Sequence, residues 1–324
     1  MPHEQSNFVG LETIDAADLL VAEFPEPKWV VPGIVPEGFT VLAGPPKIGK
    51  SYLVLGLALG VVNGDQVLGR LAVDKGDCLY LALEDIPRRL QRRLRQVLDG
   101  EPMPRGLELV TQCPRLDDGG YELIEDWLAG HPKARIVIID TWAKIRPKRN
   151  QRAPMYEDDY RAAAMVKELA DNSGVAVMAV HHYRKSTASD DWLDSVSGTT
   201  GFTGAADTIL GLRKERGQAD GVLYVTGRDV EESEKALSFD GTKGTWNLLG
   251  EAAEYRGSKT RHKIIATLRD SASDKLHVKD IADAMDKTKN AVQIQLGKMV
   301  ADGTVIVAER GFYRLANKEE IGVG

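Results

Sequence analysis

The stretch FTVLAGPPKIGKSYLVLGLALG, residues 39–60, decides the fold of this chain. Its apolar start over 39–44 predicts a short buried strand, and the run from Ser51 to about Asn63 predicts a helix. Between them lies GPPKIGKS, residues 44–51, which matches the pattern G-x-x-x-x-G-K-[ST]. The glycines of this pattern let backbone N–H groups converge on phosphate oxygens, and the following helix presents its positive end. The stretch therefore predicts a phosphate-binding loop between a strand and a helix.

This loop predicts a site for ATP and Mg²⁺. Lys50 is expected to reach the β- and γ-phosphates, and the Ser51 hydroxyl is expected to ligate Mg²⁺. Lys47 is an additional cation that either contacts a phosphate or is solvated, and we favour the solvated state. The predicted nucleotide-binding residues are Gly44, Pro45, Pro46, Lys47, Ile48, Gly49, Lys50, Ser51 and Tyr52.

Strand patterns alternate with helical patterns on both sides of the loop. Further strands are predicted over 77–84, 106–110, 134–140 and 175–182, with helices between them. This alternation is typical of a parallel sheet covered on both faces. After residue 206 the pattern changes to short strands joined by turns, which predicts antiparallel hairpins at one edge of the sheet. The fold class is therefore α/β, with a mostly parallel sheet and antiparallel edge strands.

Two carboxylates are predicted at the edge of the sheet where the phosphate loop lies. Asp140 ends the apolar run IVIID, where it can hold Mg²⁺ through water. Glu84 is predicted to end the strand LALE, where it can accept a proton from the water that attacks the γ-phosphate. The neighbouring Asp85 is expected to point away and is a candidate cap for the helix that starts near Pro87.

The motifs of residues 29–250 together resemble those of the RecA-type P-loop ATPases. The resemblance is to the plasmid RepA-like and phage-borne relatives of the DnaB replicative helicases. It is carried, in the family's order, by WVVPGIVPEGFTVLAGPPKIGKS, LYLALED with RRLQRRL, VIIDTW, AVHHYRK and SGTTGFTGAADTIL. It implies a homo-oligomeric ring, a hexamer, that hydrolyses ATP between subunits and moves along single-stranded DNA.

The adjacent histidines, His181 and His182, are candidate sensors of the γ-phosphate. Neighbouring residues on a strand point to opposite faces, so a shared metal ion is disfavoured. The resemblance implies one polar sensor here, but alternation does not choose between them. We take His181, with His182 as the alternative.

A cation supplied to the γ-phosphate by a neighbouring subunit is also implied by the resemblance. Arg228, at the end of a late strand, matches the position of this arginine finger, and Arg213 is the alternative. The family often carries a second basic residue two positions before the finger, where this chain has Thr226.

Two loops are expected to bind single-stranded DNA, because basic and hydroxyl side chains suit a phosphodiester backbone. One loop is WAKIRPKRNQRAPM, residues 142–155, which has five cations and no acidic residue. The other covers 183–204. The predicted contacts are Arg146, Lys148, Arg149, Arg152, Arg184 and Lys185.

The chain divides by pattern into an N-terminal segment over 1–28, an ATPase domain over 29–250, a linker over 251–259, a smaller domain over 260–316 and a tail over 317–324. Three helices and a hairpin within 260–316 predict a winged helix-turn-helix. Residues 257–316 hold eleven Lys/Arg against seven Asp/Glu, so this part carries +4 and the remainder −10. Duplex DNA or a replication protein is therefore a candidate partner of this domain.

Composition supports a cytoplasmic protein. Only two cysteines are present, the start lacks a signal-peptide pattern, and the longest apolar run is too short to span a bilayer, so a membrane partner is not expected. The motifs favour an ATP-driven DNA translocase, a replicative-type helicase. The alternatives are a recombination mediator or loader ATPase that does not unwind DNA, and a nucleotide-switched regulator that binds DNA through the winged helix.

Overall fold

The structure is a computed structural model that describes residues 14–24, 26–150, 152–182, 193, 200–214, 220–271 and 273–316. Its helices are α1 Ala16–Val21, α2 Lys50–Asn63, α3 Pro87–Leu98, α4 Gly120–Gly130, α5 Trp142–Ile145, α6 Met155–Ser173, α7 Thr200–Gly204, α8 Ala252–Asp270, α9 Val278–Ala284 and α10 Lys289–Ala301. Its strands are β1 Trp29–Val31, β2 Val35–Pro36, β3 Gly38–Gly44, β4 Gln66–Val67, β5 Leu71–Ala72, β6 Asp77–Ala82, β7 Leu107–Val110, β8 Ala134–Asp140, β9 Ala176–His182, β10 Thr208–Lys214, β11 Asp220–Gly227, β12 Ser233–Asp240, β13 Thr245–Glu251, β14 Leu276–His277, β15 Val305–Glu309 and β16 Phe312–Leu315.

Nine of the described strands form one central sheet in the order β13-β12-β11-β10-β3-β9-β8-β6-β7. The strands from β10 to β7 run parallel, and β11, β12 and β13 add an antiparallel edge. The predicted fold class is confirmed. One strand differs from expectation: β10 pairs antiparallel with β11, but it continues the parallel part of the sheet through β3.

Helices cover both faces of the sheet because the strand residues alternate between two apolar cores. On β9, Met178 and Val180 face the core that contains α2 and α3. Val177 and Ala179 face the other core, which contains residues of α4, α5, α6 and α7. This assignment of faces decides which of the two histidines at the end of β9 shares a face with the phosphate loop.

The register of the central strands brings the predicted site residues to one edge. Gly44 at the end of β3 pairs with His182 at the end of β9. Asp140 at the end of β8 lies between Ala82 of β6 and Val180 of β9. Because parallel strands share a carboxyl edge, the loops after β3, β6, β8 and β9 all leave the sheet on this side.

The C-terminal residues form a separate apolar core that includes Ile264, Leu268, Ile281, Leu296 and Met299. The core is enclosed by α8, α9, α10 and a three-stranded sheet of β14, β16 and β15. The expected linker over 251–259 is largely helical, because α8 begins at Ala252 and continues without a break into this unit. The winged-helix assignment stays a prediction, and residues 317–324 lie outside the described part. No described helix is long and apolar enough to cross a membrane.

Candidate nucleotide-hydrolysis site

The phosphate loop leaves β3 at Gly44 and enters α2 at Lys50. Gly49, the residue that caps α2, has φ +106°, a conformation that favours glycine. The indole of Trp246 packs on Gly49, so a Cβ at this position would lie 3.1 Å from the ring. Trp246 also donates its Nε1–H to the Gly49 carbonyl at 3.1 Å. The edge strand β13 therefore supports the loop from outside.

Lys50 is buried beneath the loop, with its ammonium group held by three acceptors. Its Nζ lies 2.7 Å from the carbonyl oxygen of Gly44, 2.9 Å from that of Pro45 and 2.9 Å from Nδ1 of His182. An ammonium group has three N–H donors, so these contacts use all of them. Burial lowers the pKa of Lys50 to about 8, against the opposing charges of Asp140 and Glu84.

Asp140 lies at the end of β8 and is buried at the foot of the site. It accepts a hydrogen bond from the Tyr80 hydroxyl at 3.0 Å and also interacts with the side chain of Ser51. Burial raises the pKa of the Asp140 carboxyl, while the two hydroxyl contacts oppose the rise. Two oxygen donors, Ser51 and Asp140, thus meet directly below the phosphate loop, and this donor set fits Mg²⁺.

Glu84 lies beyond the strand that was expected to end with it. β6 ends at Ala82, so Glu84 occupies the following turn, and its side chain is 46% exposed. Its Oε2 lies 3.6 Å from Nε2 of His182. The carboxylate therefore lies at the mouth of the site, accessible to water, rather than on the sheet itself.

Asp85 does not cap α3, contrary to expectation, because the cap residue is Ile86. Its nearly buried carboxylate instead pairs with Arg89 and Arg93 of that helix. Arg89 also donates to the Glu84 carbonyl at 3.2 Å. The start of α3 is thereby fixed directly behind Glu84.

His182, rather than His181, is the histidine that reaches the phosphate loop among the described residues. It follows Met178 and Val180 on the face covered by α2, so it shares that face with Lys50. Because the Lys50 ammonium can only donate, Nδ1 of His182 accepts, which puts the ring proton of a neutral imidazole on Nε2, towards Glu84. One imidazole therefore joins Lys50 to Glu84.

His181, the residue favoured from sequence, faces the opposite core. Its ring lies 5.2 Å from that of Phe202 of α7, which stacks on Trp142 at 4.8 Å. Burial, with the charges of His182 and Lys50, lowers the pKa of His181 to about 4, so its imidazole is neutral near pH 7. The structure thus places His181, the predicted sensor, away from Lys50, because the sequence did not reveal which face α2 covers.

Arg228 and Arg213 lie at opposite edges of the sheet. Gly227, immediately before Arg228, pairs with Thr208, which pairs with Thr40 near the start of β3. Arg228 therefore lies at the edge away from the phosphate loop, with 62% of its side chain exposed. Arg213 lies two positions beyond Gly211, the partner of Ala43. It is therefore at the same end of the strands as the phosphate loop of its own subunit.

The basic segment after β8 contains one paired cation and a short helix. Arg146 is paired with Asp158 and Asp159 of α6, so its charge is balanced, and its contact with DNA stays a prediction. The segment also begins with the short helix α5. The side chains of Lys148, Arg149 and Arg152 are exposed. Arg184 and Lys185 lie outside the described residues.

The remaining predicted nucleotide-binding residues differ in exposure and contacts. Pro46 and Lys47 are exposed, and Ile48 packs against the core on the α2 face. Tyr52 points away from the loop, because its hydroxyl donates to Gln96 at 2.7 Å and its ring contacts Phe239.

Two supporting residues, Tyr80 and Trp246, were not singled out from sequence. A buried tyrosine in an apolar strand could have indicated the first, but no local pattern indicates the second.

Comparisons with known proteins agree with this fold. A family described as an AAA domain (AAA_25) matches residues 5–188, more than half of the chain. The chain is similar to a solved ATPase domain, with 15% identity and a TM-score of 0.53, over 66% of this chain and 85% of that one. It is also similar to a DnaB-like replicative helicase solved to study its interactions with primase. That match has 14% identity and a TM-score of 0.52, over 65% of this chain and 57% of that one, a little over half of its length. At these identities the two structures confirm the RecA-like P-loop fold.

Proposed function

Because the chain belongs to the AAA_25 family of AAA domains and is an ATP-hydrolysing enzyme, we propose that it is a ring-forming DNA translocase of the replicative-helicase type. The observation that carries the proposal is the separation between Arg228 and the phosphate loop. They lie at opposite edges of the sheet, one level with the start of β3 and the other at its end.

If Arg228 acts on the γ-phosphate, that separation requires a second copy of the chain. β3 spans seven residues, so its two ends are roughly 20 Å apart at about 3.3 Å per residue. An arginine side chain cannot cross this distance to its own γ-phosphate. A neighbouring copy related by rotation can bring its Arg228 to the phosphate loop, and head-to-tail contacts of this kind form a ring when the rotation closes.

Each step of hydrolysis is assigned to particular residues of one subunit, with one arginine from the next. The loop amides and Lys50 bind the phosphates of ATP, and the exposed Glu84 accepts a proton from the attacking water. Ser51 and Asp140 would hold Mg²⁺, which neutralises phosphate charge when bound. Arg228 from the next subunit stabilises the charge that builds on the γ-phosphate in the transition state.

His182 is proposed as the sensor of the γ-phosphate. All three N–H groups of Lys50 are engaged, so a phosphate oxygen that binds Lys50 must displace one acceptor. Two of these are carbonyls of the loop itself, whereas His182 belongs to β9 and precedes the predicted DNA-binding loop. Displacement of His182 therefore links phosphate binding to that loop and to Glu84.

Single-stranded DNA is the proposed substrate of translocation. The exposed Lys148, Arg149 and Arg152 follow the strand that carries Asp140, on the same edge as the nucleotide site. Their charges suit a phosphodiester backbone without regard to base sequence. The C-terminal unit is proposed to contact duplex DNA or a replication protein.

The test is ATP hydrolysis with and without single-stranded DNA, together with unwinding of a forked duplex, with Glu84→Gln as the inactive control. The proposal predicts stimulation, unwinding and a mass that corresponds to a ring. Stimulation without unwinding would instead identify a mediator or loader. Absence of stimulation, with tight binding to one duplex sequence, would identify a regulator.

A further inference from the structure

We propose that Asp207 is the positioning residue that holds Arg228 in place for the ATP of the neighbouring subunit. This inference rests on the proposed function, since it takes Arg228 to act across a subunit interface. Asp207 lies in the turn between α7 and β10 and is buried, with a carboxylate that is only 10% exposed. A buried carboxylate requires partners, and those of Asp207 lead to Arg228.

The two carboxylate oxygens of Asp207 have different partners. Oδ2 accepts the backbone N–H of Phe39 at 2.9 Å and lies 3.1 Å from Nζ of Lys167. Oδ1 lies 3.7 Å from Nη1 of Arg228. The first oxygen therefore fixes the carboxylate to β3 and α6, and the second is directed at the arginine.

The backbone reinforces this arrangement. The N–H of Arg228 donates to the Asp207 carbonyl at 2.9 Å, and the N–H of Asp207 donates to the Phe39 carbonyl at 2.9 Å. The guanidinium also lies 3.5 Å from the carbonyl oxygen of Gly204. Arg228 is thus held at its backbone and at two guanidinium nitrogens, while most of its side chain remains exposed.

The surrounding glycines are consistent with a close-fitted site. A Cβ at Gly38 would lie 2.7 Å from Oδ2 of Asp207, and a Cβ at Gly227 would overlap the Asp207 carbonyl oxygen. Only glycine lets β3 and β11 approach Asp207 this closely. An exposed arginine would otherwise sample many rotamers, and ordering it in advance removes that entropy from the transition state.

The first measurement is the steady-state hydrolysis of Asp207→Asn. Asparagine keeps the shape and can still accept the Phe39 N–H, but it loses the charge that attracts Arg228. The expected result is a fall in kcat on the order of 10²-fold, with the KM for ATP and the affinity for a fluorescent ATP analogue unchanged. A purely structural role would instead change affinity, ring mass and melting temperature together. The matched control is Asp171→Asn, which removes the other, more exposed carboxylate bound to Lys167 and is expected to keep full activity.

The second measurement mixes subunits. Lys50→Ala subunits cannot bind phosphate normally but retain Asp207 and Arg228, so they can complete the site of a neighbour. We expect them to restore hydrolysis to both Asp207→Asn and Arg228→Ala. Failure to restore Arg228→Ala would refute the interface itself. Restoration of Arg228→Ala alone, or an unimpaired Asp207→Asn, would overturn the role of Asp207.

If Asp207→Asn does not fold, Asp207→Glu keeps the charge and moves the carboxylate by one methylene group. A wild-type kcat in that variant would also overturn the proposal.

Discussion

His182 joins the phosphate loop to the carboxylate beside it: its Nδ1 lies 2.9 Å from Nζ of Lys50, and its Nε2 lies 3.6 Å from Oε2 of Glu84. One ring therefore contacts both the residue proposed to bind phosphate and the residue proposed to activate water. The neighbouring His181 has no share in this contact, because its ring is packed against Phe202 on the other face of the sheet.

This contact predicts that the two histidines respond differently to substitution. His182→Ala should lower DNA-stimulated kcat by about 10–10²-fold while nucleotide still binds, because the contact that aligns Glu84 is lost. His181→Phe should keep the activity, because an aromatic ring still packs on Phe202. Steady-state kinetics of both variants, with and without single-stranded DNA, provide the measurement. The reverse order of effects would restore His181 as the sensor.

Glu84 and Asp85 form a second matched pair. Glu84→Gln should lower kcat by roughly 10²–10⁴-fold without loss of stability, because the side chain is half exposed and outside the strand. Asp85→Asn should lower the melting temperature, because Arg89 and Arg93 lose their shared carboxylate. Hydrolysis rates and thermal unfolding curves of the two variants distinguish these outcomes. A stable Asp85→Asn that is as inactive as Glu84→Gln would show that Asp85 is the base.

Acid should destabilise the protein partly through His181. Its folded-state pKa of about 4 lies below the ordinary value of 6.5, so the unfolded chain binds the proton first as the pH falls. The contribution of His181 is therefore fully present above about pH 6.5 and is lost towards pH 4, by about 2–4 kcal/mol. Urea unfolding of wild type and His181→Phe at pH 7 and pH 4.5 measures it. An equal loss of stability in both proteins would contradict the assignment.

Trp246 should tune nucleotide affinity from outside the loop. Trp246→Phe keeps an apolar ring on Gly49 but removes the hydrogen bond to its carbonyl, which contributes about 1 kcal/mol. The dissociation constant for a fluorescent ATP analogue should then rise by about fivefold. Trp127→Phe, in the half-buried stack with His131 far from the loop in sequence, is the control and should bind as wild type. Equal affinities of the two variants would remove Trp246 from the site.

The sequence predicted the sheet and its loop because both rest on local patterns. The strand, glycine and lysine spacing of residues 39–60 and the apolar run before Asp140 correspond to β3, α2 and β8. The end of the strand before Glu84 was predicted two residues too late, because the apolar Leu83 extends the strand pattern past the hydrogen-bonded end of β6 at Ala82.

The remaining differences depend on contacts between residues distant in sequence. His181 and His182 alternate equally well, and only the packing of α2 on one face separates them. The pairing of Arg146 with Asp158 and Asp159 required knowledge of where α6 begins relative to the basic segment. Trp246 reaches Gly49 across 197 positions, a contact that no spacing rule predicts.

The proposal that two subunits share each active site can be tested by mixing two inactive variants. Lys50→Ala lacks a working phosphate loop and Arg228→Ala lacks the arginine, so each alone should hydrolyse ATP at a small fraction of the wild-type rate. In a ring assembled at random from equal amounts, about one site in four combines an intact loop with an intact arginine. The mixture should therefore reach a rate approaching about one quarter of the wild-type DNA-stimulated rate. A mixture no faster than its separate components, or an Arg228→Ala protein that is active alone, would show that each subunit hydrolyses ATP by itself.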